Sequence, residues 1–290
     1  MASGPTESVT VGGRTLRVSS LDKVLYPATG TTKGEVLQYY VRIADHLLPH
    51  LARRPVTRIR WPDGVGGQHF FEKNLPSGAP DWLPSVTISG HGSRSGRDHV
   101  TYPLVEDLGA LVYLVNLGSL ELHVPQWQVD EGAPGPPDRL VIDLDPGPGA
   151  GLAHCAQVAL LVRDRLAQVG LESTPVTSGS KGMQLYAELD GARTSEEVST
   201  VTRSLAQQLA EQRADLVVWR MTKALRPGKV FLDWSQNNAA KTTICPFSMR
   251  GRERPTVAAP RDWGEVEAAA DGSEDLAQLT IPEVLARWSP

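Results

Sequence analysis

The sequence predicts a domain of mixed α and β structure, in the α/β or α+β class, and three observations support this prediction. A glycine pair, Gly12-Gly13, separates two short alternating runs near the N-terminus, as in a β-hairpin. Capping-box spacing, Thr-x-x-Glu, begins two helix-like segments, at Thr32 and at Thr194. Apolar strand-like runs alternate with helix-like segments through the second half. Because no repeat or long linker interrupts the pattern, we expect a single domain over residues 1–290.

The first half is predicted to begin with a hairpin over residues 9–18. A helix follows from about Lys33, because apolar residues recur at helical intervals from Leu37 through Val41 to Leu51. Strands are predicted at residues 56–61, 68–72 and about 100–104. The segment 75–98 is rich in Gly, Ser and Pro and is predicted to be mostly loop.

The second half is predicted to alternate strands with helices. Strands are expected at residues 140–145, 174–178, 183–189 and 229–234. One helix should run from about Leu152 to Val169 and stop at Gly170. A second should begin at Ser195, with Thr194 and Glu197 as its capping box.

Composition indicates a globular protein without a membrane span. Of its 290 residues, 40% are hydrophobic and 21% are charged, so a sizeable core is possible. No apolar run approaches the roughly 18 residues of a membrane helix, and the N-terminus lacks the pattern of a signal peptide. These features predict a cytoplasmic protein. Cys155 and Cys245 lack a C-x-x-C partner, which argues against a disulfide framework and a zinc site.

Charge is distributed unevenly, although the formal net charge is only −4. The segment from Arg220 to Arg254 contains eight basic and two acidic residues. A second basic cluster comprises Arg53, Arg54, Arg58 and Arg60. The chain after Asp262 is acidic. Such segregation is typical of a groove that holds a polyanion, and a solvated basic face is the alternative.

The stretch VIDLDPG, residues 141–147, places Asp143 and Asp145 on one face of a strand, because side chains alternate along it. Two carboxylates this close repel each other, and a divalent metal is the usual compensation. The alternative is that both are solvated beside a Pro-Gly turn. Asp233, in KVFLDWSQN, also ends an apolar strand. Three such acids can hold two divalent ions, whereas Asp233 alone could merely cap its strand.

The stretch TSGSKG, residues 177–182, lies between two predicted strands. Its glycines would let backbone N–H groups approach anionic oxygens, and its serines and Lys181 add hydroxyls and a positive charge. A triphosphate cradle is one interpretation, and an exposed hairpin is the other. The spacing is not that of a G-x-x-x-x-G-K-[ST] loop, so a P-loop NTPase is not supported.

Several motifs follow one another in order along the chain: VIDLDPG, TSGSKGMQLY, KVFLDWSQN and KTTICPFSMRGR. Others are LDKVLYPATGTTK, RWPDG, FFEK, LELHVPQW and TVAAPRDW. This ordered set resembles the archaeo-eukaryotic primase superfamily, most closely the polymerase domain of bacterial DNA ligase D. The resemblance covers nearly the whole chain. It implies an α+β fold, a primase-like catalytic core with mixed, mainly antiparallel sheets flanked by helices. Catalytic motifs would occupy about residues 136–260, between an N-terminal part of about 1–135 and an acidic helical C-terminal tail.

The resemblance implies a template-directed nucleotidyltransferase that fills gaps and extends DNA 3′ ends with ribo- or deoxyribonucleotides in non-homologous end joining. Asp143, Asp145 and Asp233 would bind two divalent ions, Mn²⁺ or Mg²⁺. The implied nucleotide-binding residues are Ser178, Ser180, Lys181, Gln184, His123, Phe70, Phe71, Lys241 and Arg250. Without the resemblance, His123 would be interpreted as a hydrogen-bonded core residue, and one of the two phenylalanines would face the core.

The resemblance also implies DNA contacts. Lys23 and Lys33 match a pocket for the 5′-phosphate of a gapped duplex, where helix amides and the helix dipole would add to their charge. By themselves they would be ordinary surface lysines. Arg53 and Arg226 are further candidates for DNA contact. Implied partners are DNA ends, NTP or dNTP, a Ku-type protein and, because no ligase motif precedes Pro290, a separate ligase. The expected location is the bacterial cytoplasm, at the nucleoid.

One position departs from the family pattern. Relatives carry His where this chain has Gln184, and that His is expected to contact the triphosphate. An amide can donate a hydrogen bond to phosphate but cannot become cationic. Three functions therefore stay open: an end-joining polymerase, a catalytically weakened DNA-end binding module, and a metal-dependent nuclease that uses the same acids.

Overall fold

The N-terminal segment forms the predicted hairpin. In a computed structural model that describes residues 6–89 and 99–289, strands β1 (Thr6–Val11) and β2 (Arg14–Ser19) pair antiparallel across Gly12-Gly13. Both glycines have positive φ angles, 56° and 77°, which residues with a Cβ rarely adopt. Strands β3 (Val24–Tyr26) and β4 (Thr31–Thr32) form a second short pair.

The helix predicted from Lys33 is in fact two helices. The first, α1 (Lys33–Arg42), begins with the predicted capping box, and α2 (Ala44–Leu51) follows after one residue, Ile43. The buried face runs through Val36, Tyr40, Ile43 and Leu47, which recur at helical spacing. Val41, placed on the apolar face from the sequence pattern, is therefore 43% exposed.

Four antiparallel strands form the first of two larger sheets, in the order β17-β9-β5-β6. The strands are β5 (Thr57–Arg60), β6 (Phe70–Glu72), β9 (Ser119–Val124) and β17 (Thr243–Ile244). Helix α3 (Leu108–Asn116), which was not predicted, packs on α1 and β9. Its sequence, LGALVYLVN, is apolar on almost every side, so it lacks the amphipathic period of a surface helix.

Two further antiparallel pairs lie outside the larger sheets. They are β7 (Ser85–Ser89) with β8 (His99–Pro103), and β10 (Trp127–Asp130) with β11 (Ala133–Pro137). Strand β7 lies in the segment predicted to be mostly loop, and that prediction is wrong there. Val86 and Ile88 alternate with exposed neighbours, which is a strand pattern. Residues 90–98 of the predicted loop lie outside the described residues.

The second large sheet has six strands, in the order β15-β16-β12-β14-β13-β18. They are β12 (Arg139–Pro146), β13 (Ser173–Thr177), β14 (Met183–Glu188), β15 (Val217–Val218), β16 (Val230–Asp233) and β18 (Ala259–Pro260). All pairs are antiparallel except β15 with β16. Helices α4 (Leu152–Ala167) and α5 (Ser195–Gln212) begin where predicted. Mixed, mainly antiparallel sheets flanked by helices are thus confirmed.

The C-terminal part of the chain contributes to both hydrophobic cores. Helix α6 (Trp263–Asp271) packs on α4 and places Val266 in the core of the six-stranded sheet. Helix α7 (Ile281–Trp288) packs on α1 and places Val284 in the core of the four-stranded sheet. Among the described helices, none is both long enough and apolar enough to cross a bilayer.

Candidate active site

A cleft of about 400 Å³ is lined by eight of the twelve residues predicted to bind metal or nucleotide. They are His123, Asp143, Asp145, Ser178, Ser180, Lys181, Gln184 and Arg250. A larger groove, of about 600 Å³, lies beside α5 and is lined mainly by apolar side chains such as Leu171 and Val198. The smaller cleft is the candidate site because carboxylates, cations and hydroxyls converge in it.

Asp143 and Asp145 both point into the cleft because side chains alternate between the two faces of strand β12. Asp143 and Asp145 line the cleft, while Ile142 and Leu144 pack against α4 in the core behind the sheet. Burial, and then the charge of Asp145, raise the pKa of Asp143 to about 8. Burial, and then the charge of Asp233, raise the pKa of Asp145. Concentrated negative charge of this kind fits a divalent cation, which would favour the ionised forms.

Asp233 stands directly opposite Asp143 on the neighbouring strand β16. Its carboxylate accepts hydrogen bonds from the Ser235 N–H and the Gln236 side-chain amide, both at 3.0 Å. Asp233 is thereby the N-cap of a short 3-10 helix (Trp234–Asn237), whereas the alternative interpretation from sequence was a cap of its own strand. Within residues 6–89 and 99–289, no three His, Cys, Asp or Glu side chains form a ready metal centre. The metal role of Asp233 therefore stays a prediction.

The loop between β13 and β14 is shaped by its two glycines. A Cβ atom on Gly182 would lie 2.0 Å from the carbonyl oxygen of Leu144, so only glycine allows the loop to approach β12 this closely. Gly179 has a φ of +69°, and a Cβ there would lie 2.6 Å from the Arg250 side chain. The glycines therefore set the position of the loop against β12 and Arg250.

Three main-chain amides of this loop are bonded within the protein. The Ser178 N–H donates to the Gly182 carbonyl, the Gly179 N–H to the Gln278 side chain, and the Ser180 N–H to the Ser178 hydroxyl. The expectation that these amides would cradle anionic oxygens is wrong for these three residues. The side chains of Ser178, Ser180 and Lys181 line the cleft and are the groups left for an anion.

Gln184 faces the acid pair from strand β14. Its Nε2 donates to Asp143 Oδ1 at 3.0 Å, and its Oε1 accepts from the Tyr186 hydroxyl at 2.9 Å. The hydrogen bond to Asp143 opposes the rise in the pKa of that carboxyl. Gln184 is thus oriented toward Asp143, and its contact with a nucleotide stays a prediction.

Glu121 was not singled out from the sequence, yet it connects two predicted site residues. Its Oε2 accepts from His123 Nε2 at 2.8 Å and lies 3.3 Å from Arg250 Nη1, while its Oε1 accepts from the Gly251 N–H at 3.0 Å. Burial opposes ionisation, but His123 and Arg250 hold the pKa of Glu121 below its ordinary value. Glu121 and His123 are two residues apart on β9, so strand periodicity was the signal that could have found it.

Phe70 and Phe71 lie on β6, an edge strand, and are 41% and 57% exposed. The expectation that one of them faces the core is therefore wrong. Both lie outside the set of residues that line the cleft, and base stacking stays a prediction. Lys241 lies beside the acids: its ammonium is 3.9 Å from Asp233 Oδ2 and hydrogen-bonds to the Ser235 hydroxyl.

Lys23 and Lys33 are brought close together, but in different environments. Lys33 is only 7% exposed, and its ammonium donates to the Ser19 carbonyl at 2.7 Å. Burial, and then repulsion from Lys23, lower the pKa of Lys33 to about 8. Lys23 is more exposed and pairs with Asp63 at 2.8 Å. The interpretation of an ordinary surface lysine is therefore wrong for Lys33.

The first amides of α1 are not available to a phosphate. They donate within the protein: Lys33 N–H to the Lys23 carbonyl, Gly34 N–H to the Leu21 carbonyl, and Glu35 N–H to the Thr32 hydroxyl. The expected contribution of helix amides to a 5′-phosphate pocket is therefore wrong. A phosphate would depend on the two lysine side chains.

Most of the basic cluster between positions 53 and 60 is neutralised by internal ion pairs. Arg54 contacts both carboxylate oxygens of Asp138, at 2.7 and 2.6 Å. Arg58 and Arg60 share Glu72, at 2.9 and 2.6 Å. Because Arg54 is 4% and Arg58 0% exposed, this cluster does not form the basic groove considered from the sequence.

The two arginines predicted to contact DNA differ in what holds them. Arg53 is exposed, donates to the Val129 carbonyl at 2.7 Å and lies 3.7 Å from Asp130. The guanidinium of Arg226 lies over the ring of Phe231, 3.7 Å from its centroid. Phe231 pairs with Asp145 across the sheet, so Arg226 adds positive charge beside the acids. DNA contact by either arginine stays a prediction.

Comparison with known proteins agrees with this fold. A family profile described as the LigD primase-polymerase domain matches residues 32–289. The chain is 49% identical over 272 residues to the multifunctional non-homologous end joining protein LigD of Mycolicibacterium smegmatis, covering 94% of this chain and 34% of that protein. It is 36% identical over 255 residues to the bifunctional LigD of Bacillus subtilis, covering 88% of this chain and 40% of that protein. The chain thus spans about a third of the length of the first of these relatives.

A solved structure is also similar. It is the polymerase domain from Mycobacterium tuberculosis ligase D in complex with DNA, with a TM-score of 0.87 and 47% identity. The match covers 94% of this chain and 93% of that chain. The similarity therefore extends over most of the chain.

Proposed function

The chain belongs to the LigD primase-polymerase family, and from this premise we propose that it fills gaps and extends DNA 3′ ends during non-homologous end joining, by template-directed transfer of ribo- or deoxyribonucleotides. The observation that carries the proposal is the convergence of Asp143 and Asp145 with Lys181 and Arg250 in one cleft of about 400 Å³. Phosphoryl transfer needs both a cation site and groups that stabilise phosphate charge.

In this proposal the triphosphate lies against Lys181 and Arg250 and the hydroxyls of Ser178 and Ser180. Charge-assisted hydrogen bonds of this kind are stronger than neutral ones. Glu121 keeps Arg250 in place through its buried ion pair. The exposed ring of Phe70 or Phe71 is the candidate platform for the incoming base.

Two divalent ions, manganese or magnesium, would be held by Asp143, Asp145 and Asp233 and would supply charge stabilisation for the transferred phosphoryl group. Burial, and then repulsion between neighbouring carboxylates, raise the pKa of Asp143 and Asp145. This supports the proposal, because a bound divalent cation would offset both unfavourable effects. Gln184 keeps Asp143 oriented through a 3.0 Å hydrogen bond.

The proposed nucleic-acid partner is a gapped duplex whose 5′-phosphate lies between Lys23 and Lys33. The relative solved with DNA supports a DNA partner. Binding would require Lys23 to exchange its ion pair with Asp63 for the phosphate. Sealing by a DNA ligase and end capture by a Ku-type protein would complete the repair.

Extension of a gapped duplex with a manganese salt and labelled ribonucleotides tests the proposal. Elongation supports a polymerase, shortening would indicate a nuclease, and a mobility shift without chemistry would indicate a binding module. Asp143→Asn is the matched control, since it keeps the shape of the side chain but removes its charge. Elongation that persists in Asp143→Asn would contradict the assigned role of the acid pair.

A further inference from the structure

The segment between α6 and α7 reaches the loop Ser178–Gly182. Gln278 Oε1 accepts a hydrogen bond from the Gly179 N–H at 2.6 Å, and Gln278 Nε2 donates to the Gly182 carbonyl at 2.9 Å. One side-chain amide therefore joins the two glycines at either end of the Ser180-Lys181 tip. This contact links positions 99 and 96 residues apart in sequence.

The residues that follow Gln278 are anchored in the fold. Its neighbour Leu279 is 4% exposed and belongs to the core of the four-stranded sheet, and the Leu279 carbonyl accepts from the Val257 N–H at 2.9 Å. Thr256 and Thr280 form an isolated antiparallel bridge. The Thr256 hydroxyl also donates to the Gly179 carbonyl at 2.5 Å. Both backbone polar groups of Gly179 are thus fixed by residues near the C-terminus.

A loop with two glycines has a large conformational entropy, which must be lost when its side chains bind a ligand. The two hydrogen bonds of Gln278 restrict the loop before a ligand binds, while Ser180 and Lys181 still line the cleft. Preorganisation of this kind increases affinity without adding a contact to the ligand.

We propose that Gln278 is a positioning residue for nucleotide binding: its amide holds the loop so that Lys181 and Ser180 meet the triphosphate. This inference rests on the proposed function. It makes the C-terminal segment part of the nucleotide site, although Gln278 does not itself line the cleft.

The test compares Gln278→Met and Gln278→Ala in the full chain. Met keeps the length of the side chain but has neither hydrogen bond, whereas Ala also removes its bulk. Gln157→Ala is the matched control, because Gln157 likewise bonds a carbonyl of the C-terminal part, that of Ala270 at 3.1 Å, but on α4. The readouts are KM for nucleotide and kcat on a gapped duplex, and amide hydrogen exchange at Gly179.

Both Gln278 variants should raise the nucleotide KM about tenfold, from the loss of two hydrogen bonds, and leave kcat within about twofold of wild type. Exchange at Gly179 should accelerate, and Gln157→Ala should match wild type in every readout. A wild-type KM in Gln278→Met would overturn the inference, since side-chain packing without the hydrogen bonds would then be enough to position the loop. A loss of kcat as large as the rise in KM, in both variants, would also overturn it, since Gln278 would then support the structure of the site and not nucleotide binding in particular.

Failure of the proposed function gives a different result. Wild type that neither extends DNA nor binds nucleotide would overturn the proposed function and the inference together. Wild type that extends normally, with KM unchanged in both Gln278 variants, would overturn the inference alone.

Discussion

Preference for a 5′-phosphorylated gap should weaken about tenfold between pH 7 and pH 9, because of Lys33. Burial, and then repulsion from Lys23, lower its pKa to about 8. Lys33 is therefore cationic in about 90% of molecules at pH 7 and in about 10% at pH 9. The second pKa of a phosphate is about 6, so the ligand itself stays a dianion across this range.

The direction of the pH effect depends on which form of Lys33, cationic or neutral, binds the phosphate. The cationic form exists below the lowered pKa and disappears as the pH rises through it. A bound phosphate favours the cation and raises the pKa of Lys33 in the complex, so the observed affinity follows the cationic fraction of the free protein. The tenfold change in that fraction is therefore the expected change in affinity.

Fluorescence anisotropy with a labelled gapped duplex would measure this effect at constant salt, since phosphate contacts are salt-dependent. The measured quantity is the affinity ratio of the duplex with and without its 5′-phosphate, which cancels pH effects elsewhere. Lys33→Arg is the control, because a guanidinium stays cationic at both pH values. A constant ratio in wild type, or an equally steep fall in Lys33→Arg, would refute the role assigned to Lys33.

Three further predictions concern the cleft. Asp145→Ala should abolish extension without lowering the melting temperature, because the raised pKa of Asp145 shows that its charge is unfavourable in the fold; activity and thermal melting check this. Glu121→Gln should raise the nucleotide KM several-fold and lower the free energy of unfolding by roughly 1.5–3 kcal/mol, through weakened bonds to His123 and Arg250; steady-state kinetics and denaturant titration measure both. Gln184→His should lower the nucleotide KM several-fold, more at pH 6 than at pH 8, since imidazolium adds positive charge. An unchanged KM at both pH values would contradict this last prediction.

Local chemistry made several elements predictable from the sequence. The capping boxes at Thr32 and Thr194 begin helices as expected, and Gly12-Gly13 turns the hairpin. In each case the hydrogen bonds or dihedral angles involve residues at most a few positions apart. The alternation that places Asp143 and Asp145 on one face of β12 is local in the same sense.

Prediction failed where the environment of a segment departs from the simple amphipathic case. Helix α3 is buried nearly all round, so its sequence has no polar face to reveal a helical period. Phe70 and Phe71 on strand β6 are both exposed, although alternation places one of them inward. Neither environment can be inferred from neighbouring residues alone.

The sequence by itself determined where α1, α4 and α5 begin, most strands of the six-stranded sheet, and the acid pair that identifies the candidate site. Only the tertiary structure decided which charged groups are free and which are paired. Arg58 and Lys33 look like surface cations in the sequence, yet both are buried. Glu121 accepts a hydrogen bond from Gly251, and the loop glycine Gly179 donates one to Gln278. The physical reason is the separation in sequence of the residues that interact. Helix caps and strand alternation depend on nearby residues, whereas burial, ion pairing and pKa depend on segments that meet from about 100 positions apart.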